Sequence, residues 1–383
     1  MISDVYPLKR DIRPGIFVEK LVRRLRKQGF NIKVQAVNKV KVRKRPSREV
    51  KKLTEEIMKR WELDLDTSIK IAQTINDAIK LADNKVNLIH AHFAYVAGFA
   101  ATYVSRKINR PFIVTLHGYD AATVPEINYG ILLDSKLRRI VKHVLDKAEM
   151  IITVSEDLKG RVLALGEYQD KIQVIYHGVD PEKFKFTKRG RREIREKYGM
   201  SENEVVIFTL SYHVPRKNIP MLIEAFKDIS SVRSNVKLMI GGEGPDTNKL
   251  KKLTKKLNLE KSVIFTGVIE EREKVKYYSA ADIFALTSLY EGFGIVLIEA
   301  MSSKLPIVAT LTGGIPEVVA DNETGFLVPV KSKEKLVDAL LKLIDNEKLR
   351  RIFGENGRQR VLKYFTIDRM ISSHIDIYTK LTG

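Results

Sequence analysis

Residues 283–301 read IFALTSLYEGFGIVLIEAM, and this stretch decides the fold. It begins with Ile283–Leu286, a short apolar run typical of a strand buried in a parallel sheet. Gly292 and Gly294 follow in a loop, and the apolar stretch Ile295–Met301 then reads as a helix. This order predicts a βα unit whose loop lies at the carboxyl end of a strand, where ligands bind in open parallel sheets.

The same alternation of short apolar runs and longer amphipathic stretches continues along the whole chain and predicts an α/β fold with parallel sheets. In the first half the predicted strands are Ile32–Val37, Val86–Phe93, Pro111–Leu116, Met150–Val154 and Ile172–Tyr176. They are preceded by Met1–Val5, which reads either as the end of a first strand whose beginning is missing or as an unusually short strand. In the second half they are Val205–Leu210, Val236–Ile240, Val263–Thr266, Ile283–Leu286, Ile307–Thr310 and Phe326–Val328. Two Rossmann-like domains are the simplest account of this pattern.

The stretch from Asp180 to Met200 has no strand-like run and is strongly charged, so it predicts the crossing between the domains. We expect an N-terminal domain over residues 1–185 and a C-terminal domain over residues 186–360. The tail over residues 361–383 is helical in pattern and longer than a closing helix needs. We expect it to return to the first domain.

The totals set further bounds. The chain has 383 residues, of which 44% are hydrophobic and 30% charged, and no apolar run approaches the ~20 residues of a membrane span. The first residues lack the features of a signal peptide, which predicts a cytoplasmic protein. The absence of cysteine excludes disulfides, thiolate metal sites and a cysteine nucleophile. Abundant Lys, Arg and Glu without Cys is also typical of a thermophilic source.

The net charge of +21 indicates an anionic partner, which could be nucleic acid, a membrane surface or a phosphorylated substrate. A solvated charged face is the alternative explanation. The basic residues are densest around Pro46, at Lys39, Lys41, Arg43, Lys44, Arg45, Arg48, Lys51 and Lys52.

The loop after Ile283–Leu286 has the chemistry of a phosphate site. Gly292 and Gly294 let the backbone come close to a ligand, and the following helix offers N–H groups and its positive dipole end. Glu291 precedes that helix, and its carboxylate could accept hydrogen bonds from a sugar. Glu299 lies in an apolar helix, where an unpaired carboxylate would be costly unless it met donors such as sugar hydroxyls. Either glutamate alone could instead be a capping or helix-start residue.

These residues carry a resemblance to a known family. Glu291 and Glu299 stand in the pattern Glu-Gly-Phe-Gly-x-x-x-x-Glu-Ala, which is followed by KLPIVA at 304–309 and GGIPE at 313–317. This pattern resembles the large retaining glycosyltransferase family 4 of the GT-B fold, also called glycosyltransferase group 1, and the resemblance runs nearly end to end. It implies two Rossmann-like domains facing each other across a cleft.

The resemblance also implies roles for single residues. Glu299 would bind the ribose of the donor nucleotide, Glu291 would contact the transferred sugar, and backbone amides of the Gly292, Phe293, Gly294 and Ile295 stretch would hold the diphosphate. A lysine in the family's basic loop neutralises the donor phosphates, and Lys217 in the VPRKN loop at 214–218 matches it.

Three further positions fit the family. His117, in His117-Gly118-Tyr119-Asp120, would line the reaction centre, although a structural histidine at a strand end would look the same. Gly15 resembles the family's glycine loop and Gly242 a common signature after a strand, but either could be a turn glycine.

The chain departs from the pattern at Tyr212, where the family usually has an arginine. Either Arg216 substitutes for it, or the diphosphate is held by one cation fewer.

Three other patterns suggest a metal site or a hydrolase, but a different explanation is favoured for each. Asp64-Leu65-Asp66 spells a metal-binding motif of the other glycosyltransferase fold, but it lies beside a helical pattern. His90 and His92 share one side of a strand without an evident third metal ligand, which favours packing. Glu291 and Glu299 could serve as acid and base of a hydrolase, but their place around a phosphate-type helix start favours donor binding.

The family therefore implies a retaining glycosyltransferase that takes a sugar from a UDP-, GDP- or ADP-sugar and passes it to a lipid-linked or soluble glycan, without a cofactor or an obligatory metal. A sugar phosphorylase or synthase of the same fold is the related alternative. A non-catalytic basic binder of RNA or anionic membrane is the alternative of another class, with nucleic acid the less expected partner. The basic cluster could also dock a true transferase peripherally on the inner face of a membrane.

Overall fold

The computed structural model of the protein describes residues 1–3, 16–37, 46–82 and 86–383. The chain divides into two compact units. Unit 1 comprises Met1–Tyr176 together with Met370–Gly383, and unit 2 comprises His177–Arg369.

Unit 1 is built on a six-stranded sheet in which every described strand pair is parallel. Its strands are β1 (Ile2–Ser3), β2 (Gln35–Ala36), β3 (Ile89–His92), β4 (Phe112–Leu116), β5 (Met150–Thr153) and β6 (Ile172–Val174), in the order β2-β1-β3-β4-β5-β6. Each lies within a predicted strand, and this is a doubly wound order.

Four of the described helices of unit 1 begin at side chains that accept hydrogen bonds from the first turn, as N-caps do. Ser47, Asp64, Asp134 and Ser155 serve in this way. Asp64 accepts from the Thr67 amide at 2.8 Å, so the Asp64-Leu65-Asp66 pattern belongs to a helix start. The helices are α1 (Ile16–Lys27), α2 (Arg48–Trp61), α3 (Leu65–Leu81), α4 (Phe99–Ile108), α5 (Ser135–Lys147) and α6 (Glu156–Leu163).

Unit 2 contains a second parallel sheet of six strands. Its strands are β7 (Val205–Leu210), β8 (Val236–Gly241), β9 (Val263–Gly267), β10 (Ile283–Leu286), β11 (Ile307–Thr310) and β12 (Gly325–Val328), in the order β12-β11-β10-β7-β8-β9. This is the Rossmann order, which reverses direction between β10 and β7. Ligands bind in such sheets at the carboxyl ends of the two strands that flank the reversal.

Helices cover both faces of this sheet, and the core between them is apolar, with Leu222, Phe226, Leu336 and Leu340 fully buried. The helices are α7 (Lys188–Lys197), α8 (Ile219–Val232), α9 (Thr247–Lys256), α10 (Lys274–Ala280), α11 (Ile295–Ser302), α12 (Ile315–Val318), α13 (Lys333–Ile344) and α14 (Glu347–Tyr364). The predicted α/β class with two Rossmann-like domains is confirmed.

A buried ion pair fastens α7 to the sheet of unit 2. The Arg195 side chain is 2% exposed and donates to the Asp282 carboxylate at 2.7 Å. Asp282, which directly precedes β10, also accepts from the Val206 amide of β7 at 2.8 Å. One carboxylate therefore holds a helix and two strands.

The last helix, α15 (Ile367–Thr382), brings the C-terminal residues into unit 1, as the sequence predicted for the tail. The imidazole of buried His90 on β3 hydrogen-bonds through Nδ1 to the Tyr378 hydroxyl of α15 at 2.6 Å and through Nε2 to the Thr115 hydroxyl of β4 at 2.7 Å. The end of the chain thus completes the packing of the first unit's sheet. Within the described residues, no helix has the length and hydropathy that a membrane span requires.

Candidate functional site

Two loops of unit 2 meet at the reversal of strand order, and hydrogen bonds join their backbones. They follow β7 and β10 and comprise residues 211–218 and 287–294. The Leu289 amide donates to the Arg216 carbonyl at 2.7 Å, and the Thr287 hydroxyl donates to the Lys217 carbonyl at 3.1 Å. Side chains from both loops are therefore held together at the place where the topology predicts a ligand.

Glu291 lies at the centre of this meeting point. Its carboxylate accepts hydrogen bonds from the Lys217 ammonium, from Arg216 Nη1 at 3.3 Å and from the Ser288 hydroxyl at 3.2 Å. Burial opposes its ionisation, but the charges of Lys217 and Arg216 outweigh burial and lower the pKa of Glu291 to about 2. Burial also lowers the pKa of Lys217, against the opposite pull of Glu291. The sequence-predicted residues Glu291, Lys217 and Arg216 thus form one cluster.

The cluster of Glu291, Lys217 and Arg216 is largely shielded from water. Its two cations are largely enclosed, with the Lys217 side chain 11% exposed and that of Arg216 21% exposed, so an anion near them is weakly screened by water. Tyr212, at the position where the family pattern expects arginine, is 50% exposed. Arg216 shares a carboxylate with Lys217 and so supplies a second cation beside it.

The glycine positions explain how closely the backbone is folded around Glu291. Gly313 has φ +52°, and a Cβ there would lie 2.1 Å from the Glu291 carbonyl oxygen. That same oxygen accepts from the Gly314 amide at 2.9 Å. Gly294, which directly precedes α11, has φ +94°. The predicted loop therefore depends on two residues without a side chain in the left-handed region.

Glu299 is 1% exposed, but its partners lie within the chain. The Lys274 ammonium contacts both carboxylate oxygens at 3.2 Å, and the Tyr278 hydroxyl donates to Oε2 at 2.9 Å. The ligand contact predicted for Glu299 stays a prediction. Its burial does not by itself require sugar hydroxyls, because Lys274 and Tyr278 already offset the cost. Neither belongs to a motif that the sequence singled out.

Gly242 opens the loop after β8, and it too is a position that only glycine fits. Its φ is +103°, and a Cβ would lie 2.0 Å from the Ser211 carbonyl oxygen in the loop after β7. Fully buried His213 hydrogen-bonds to the Thr247 hydroxyl at 2.9 Å and to the Gly241 carbonyl at 3.3 Å. His213 organises this loop, a role with no signal in the sequence.

His117 lies in unit 1, directly after β4, and it is partly exposed. Buried Asp120 accepts from the His117 amide at 3.0 Å and from the amides of Gly118 and Ala94 at 3.1 Å. Burial raises the pKa of Asp120 to about 6, although those N–H donors act in the opposite direction. The turn that carries His117 is therefore held by a buried carboxyl group.

The imidazoles of unit 1 pack against one another. His92 Nδ1 lies 3.1 Å from His117 Nε2, and the rings of His90 and His92 stack with their centres 4.2 Å apart. Within the described ranges, no group of three or more His, Asp or Glu side chains could hold a metal ion. Gly15 and the basic residues from Lys39 to Arg45 lie outside the described residues, whereas Arg48, Lys51 and Lys52 are exposed on α2.

Two protein-family descriptions match the chain. "Glycosyltransferase Family 4" matches residues 15–183, and "Glycosyl transferases group 1" matches residues 190–360. An uncharacterized glycosyltransferase of Methanocaldococcus jannaschii is 30% identical over 297 residues, which cover 78% of this chain and 76% of the relative.

Two similar proteins have named activities. The N-acetyl-alpha-D-glucosaminyl L-malate synthase of Bacillus anthracis is 28% identical and covers 76% of this chain, which in turn covers 74% of it. The alpha-monoglucosyldiacylglycerol synthase of Streptococcus pneumoniae is 29% identical, with coverages of 76% and 68%. Among solved structures, Anabaena HepE in complex with UDP and glucose has the same fold, with a TM-score of 0.78 at 18% identity over 99% of both chains.

Proposed function

The chain belongs to glycosyltransferase family 4, the group 1 glycosyltransferases of the GT-B fold, and we propose that it transfers a sugar from a UDP-, GDP- or ADP-sugar to an acceptor hydroxyl with retention of anomeric configuration. The observation that carries this proposal is the cluster of Glu291, Lys217 and Arg216 where the strand order of unit 2 reverses. It sets two enclosed cations beside the start of α11, in the place where a Rossmann sheet binds its ligand.

In this proposal the cations hold the donor diphosphate. Lys217 and Arg216 neutralise the phosphates, and the backbone over residues 292–295 approaches them from the start of α11. Charge on the leaving diphosphate grows as the glycosidic bond breaks, so fixed cations there stabilise the transition state more than the ground state. Lys217 and Arg216 thus neutralise the diphosphate in place of a bound metal ion. Their charges support transfer without an obligatory metal or another cofactor.

The remaining site residues recognise the rest of the donor. Glu291, ionised by its two cations, accepts hydrogen bonds from the transferred sugar, and Glu299 accepts from the ribose. The loop at Gly242 contacts the nucleotide. As the family resemblance implies, His117 is proposed as a catalytic residue and Gly15 as a donor-binding residue.

Retention needs no strong enzyme base if the leaving group itself takes the proton. The bond between the anomeric carbon and the diphosphate oxygen breaks, and the acceptor oxygen bonds to the same face of that carbon. The acceptor's proton passes to the departing phosphate oxygen, so the products are the glycoside and a nucleoside diphosphate. The acceptor is proposed to be a soluble or lipid-linked molecule, and the names of the relatives include both a malate and a diacylglycerol product.

The test is a thermal-shift screen with UDP-, GDP- and ADP-sugars, followed by nucleoside diphosphate release with sugar and lipid acceptors. A donor that binds the folded protein raises its melting temperature. Glu299→Ala should abolish the shift, whereas Glu193→Ala, which removes a partly exposed carboxylate paired with Lys276 on the same unit, should keep it.

Product analysis then tests the chemistry. We expect the product to keep the anomeric configuration of the donor in NMR spectra and the rate to persist in the presence of a chelator. Inorganic phosphate offered alone as acceptor tests for a phosphorylase. An inverted product, a rate that depends on a divalent metal, or the absence of any nucleotide-sugar shift would each contradict the proposal.

A further inference from the structure

Four side chains of alternating charge run through unit 2 from its surface to Glu299. Lys183 pairs with Glu271 at 3.0 Å, Glu271 pairs with Lys274 at 2.9 Å, and Lys274 pairs with Glu299 at 3.2 Å. Exposure falls along the series from 38% for the Lys183 side chain to 1% for that of Glu299. The last carboxylate is therefore the one with the least access to water and the greatest need of a partner.

Helix α10 supplies two donors to that carboxylate, Lys274 and Tyr278. Lys274 and Tyr278 are one helical turn apart, which places them on the same side of α10, toward α11. The Lys274 ammonium lies at equal distances of 3.2 Å from the two oxygens of Glu299. An ammonium centred between both oxygens, with a hydroxyl on one of them, sets the plane of the carboxylate as well as its charge.

The protonation states agree with this geometry. Burial lowers the pKa of Lys274, but the charges of Glu299 and Glu271 outweigh it and raise that pKa above its ordinary value. Burial and the nearby Glu299 charge raise the pKa of Tyr278 well above its ordinary value. Both groups therefore remain hydrogen-bond donors at neutral pH.

We propose that Lys274 is a positioning residue for donor recognition, which holds the Glu299 carboxylate in the orientation that the ribose hydroxyls require. This inference rests on the proposed function, in which Glu299 binds the ribose. A carboxylate that binds the two ribose hydroxyls must present its oxygens within about 10–20° of the productive orientation. Without the ammonium, the buried carboxylate would turn toward another donor and lose its preference for the diol.

The test compares nucleotides that differ only in the ribose hydroxyls. UDP, GDP and ADP are titrated calorimetrically against their 2′,3′-dideoxy forms, and the ratio of the two dissociation constants is taken for the base that binds best. For the wild-type protein we expect a ratio of about tenfold or more, because hydrogen bonds to a charged group are lost. Lys274→Met should bring the ratio close to one, and Lys274→Arg should restore part of it.

Lys276→Met is the matched control. It removes the same charge two positions along α10, but the Lys276 ammonium pairs with Glu193 and Glu273, each at 2.9 Å, and does not contact Glu299. We expect it to keep the wild-type ratio. If Lys274 had a purely structural role, Lys274→Met would lower the free energy of unfolding or weaken the binding of both nucleotides equally. The ratio of the two dissociation constants would then stay at the wild-type value, and this result would overturn the proposal.

Glu299→Gln separates this inference from the proposed function. If that variant keeps the wild-type ratio, or if the wild-type protein does not discriminate, the ribose assignment of Glu299 fails and the inference fails with it. If Glu299→Gln removes the discrimination while Lys274→Met retains it, only the role of Lys274 is wrong. Should Lys274→Met not fold, Lys274→Gln is measured in the same way, with the same outcome deciding.

Discussion

A methyl group added at Gly313 tests whether the close approach of two loops shapes the donor site. The Cβ of Gly313→Ala would lie 2.1 Å from the Glu291 carbonyl oxygen, whereas real Cβ atoms essentially never come closer than 3.0 Å. The two backbones must therefore separate by about 1 Å. Misplacement on that scale near reacting groups can cost about 100-fold in rate, so we expect kcat/KM with the donor to fall by about that factor.

Gly199→Ala is the control for backbone strain. Gly199 has φ +62°, close to the +52° of Gly313, but nothing lies within 4 Å of the added methyl. Both variants carry the cost of about 1–2 kcal/mol for an L-residue in the left-handed region, and only Gly313→Ala also carries the clash. Urea unfolding should show that both variants lose the free energy of the left-handed backbone. Initial rates should fall in Gly313→Ala and stay close to those of the wild type in Gly199→Ala. Equal kinetics in the two variants would refute the argument that contact with Glu291 shapes the site.

Three other outcomes follow from single contacts. Lys217→Met should weaken binding of the donor's nucleoside diphosphate at least about tenfold by calorimetry, and Lys237→Met, which removes a cation paired outside the site, should not. Asp282→Ala removes the carboxylate that pairs with buried Arg195 and should lower the free energy of unfolding by about 3–5 kcal/mol. A loss below about 1 kcal/mol in urea titrations would show that the carbonyl groups that accept from Arg195 are enough to stabilise its buried charge. Burial lowers the pKa of His374 from 6.5 to about 4 in the folded protein. The unfolded chain therefore binds the proton first as the pH falls, and between pH 6.5 and 4 this group should remove about 3 kcal/mol of stability. His374→Leu should make the fall of stability with pH shallower by this amount, and the rest of the slope should remain because burial also lowers the pKa of His90 and of His213. An unchanged slope would contradict the assignment.

The strands could be predicted well because strands buried in a parallel sheet are continuous apolar runs. The predictions Val205–Leu210, Ile283–Leu286 and Ile307–Thr310 coincide with β7, β10 and β11. Val86–Phe93 was too long, since the strand is Ile89–His92. An apolar run shows that a segment is buried, but the ends of a strand depend on where its neighbours begin to donate hydrogen bonds.

Part of the site could be predicted because its residues lie in one local pattern. Glu291 and its glycines share one loop, and Lys217 lies in a second loop that was singled out by its resemblance to the family's basic loop. The contact between Lys274 and Glu299 could not be predicted, because Lys274 lies 25 residues before Glu299 on another helix. Contacts of this kind depend on how α10 is rotated against α11, which packing decides and no short motif records.

The contact between Tyr378 and His90 affects the order in which the two units can complete their folding during synthesis. Domains generally fold in turn from the N-terminus as the ribosome releases them. Here the first unit made lacks α15 until residues 370–383 emerge, after the whole of unit 2 has been synthesised. The second unit can therefore reach its native state while the first still exposes the surface around His90.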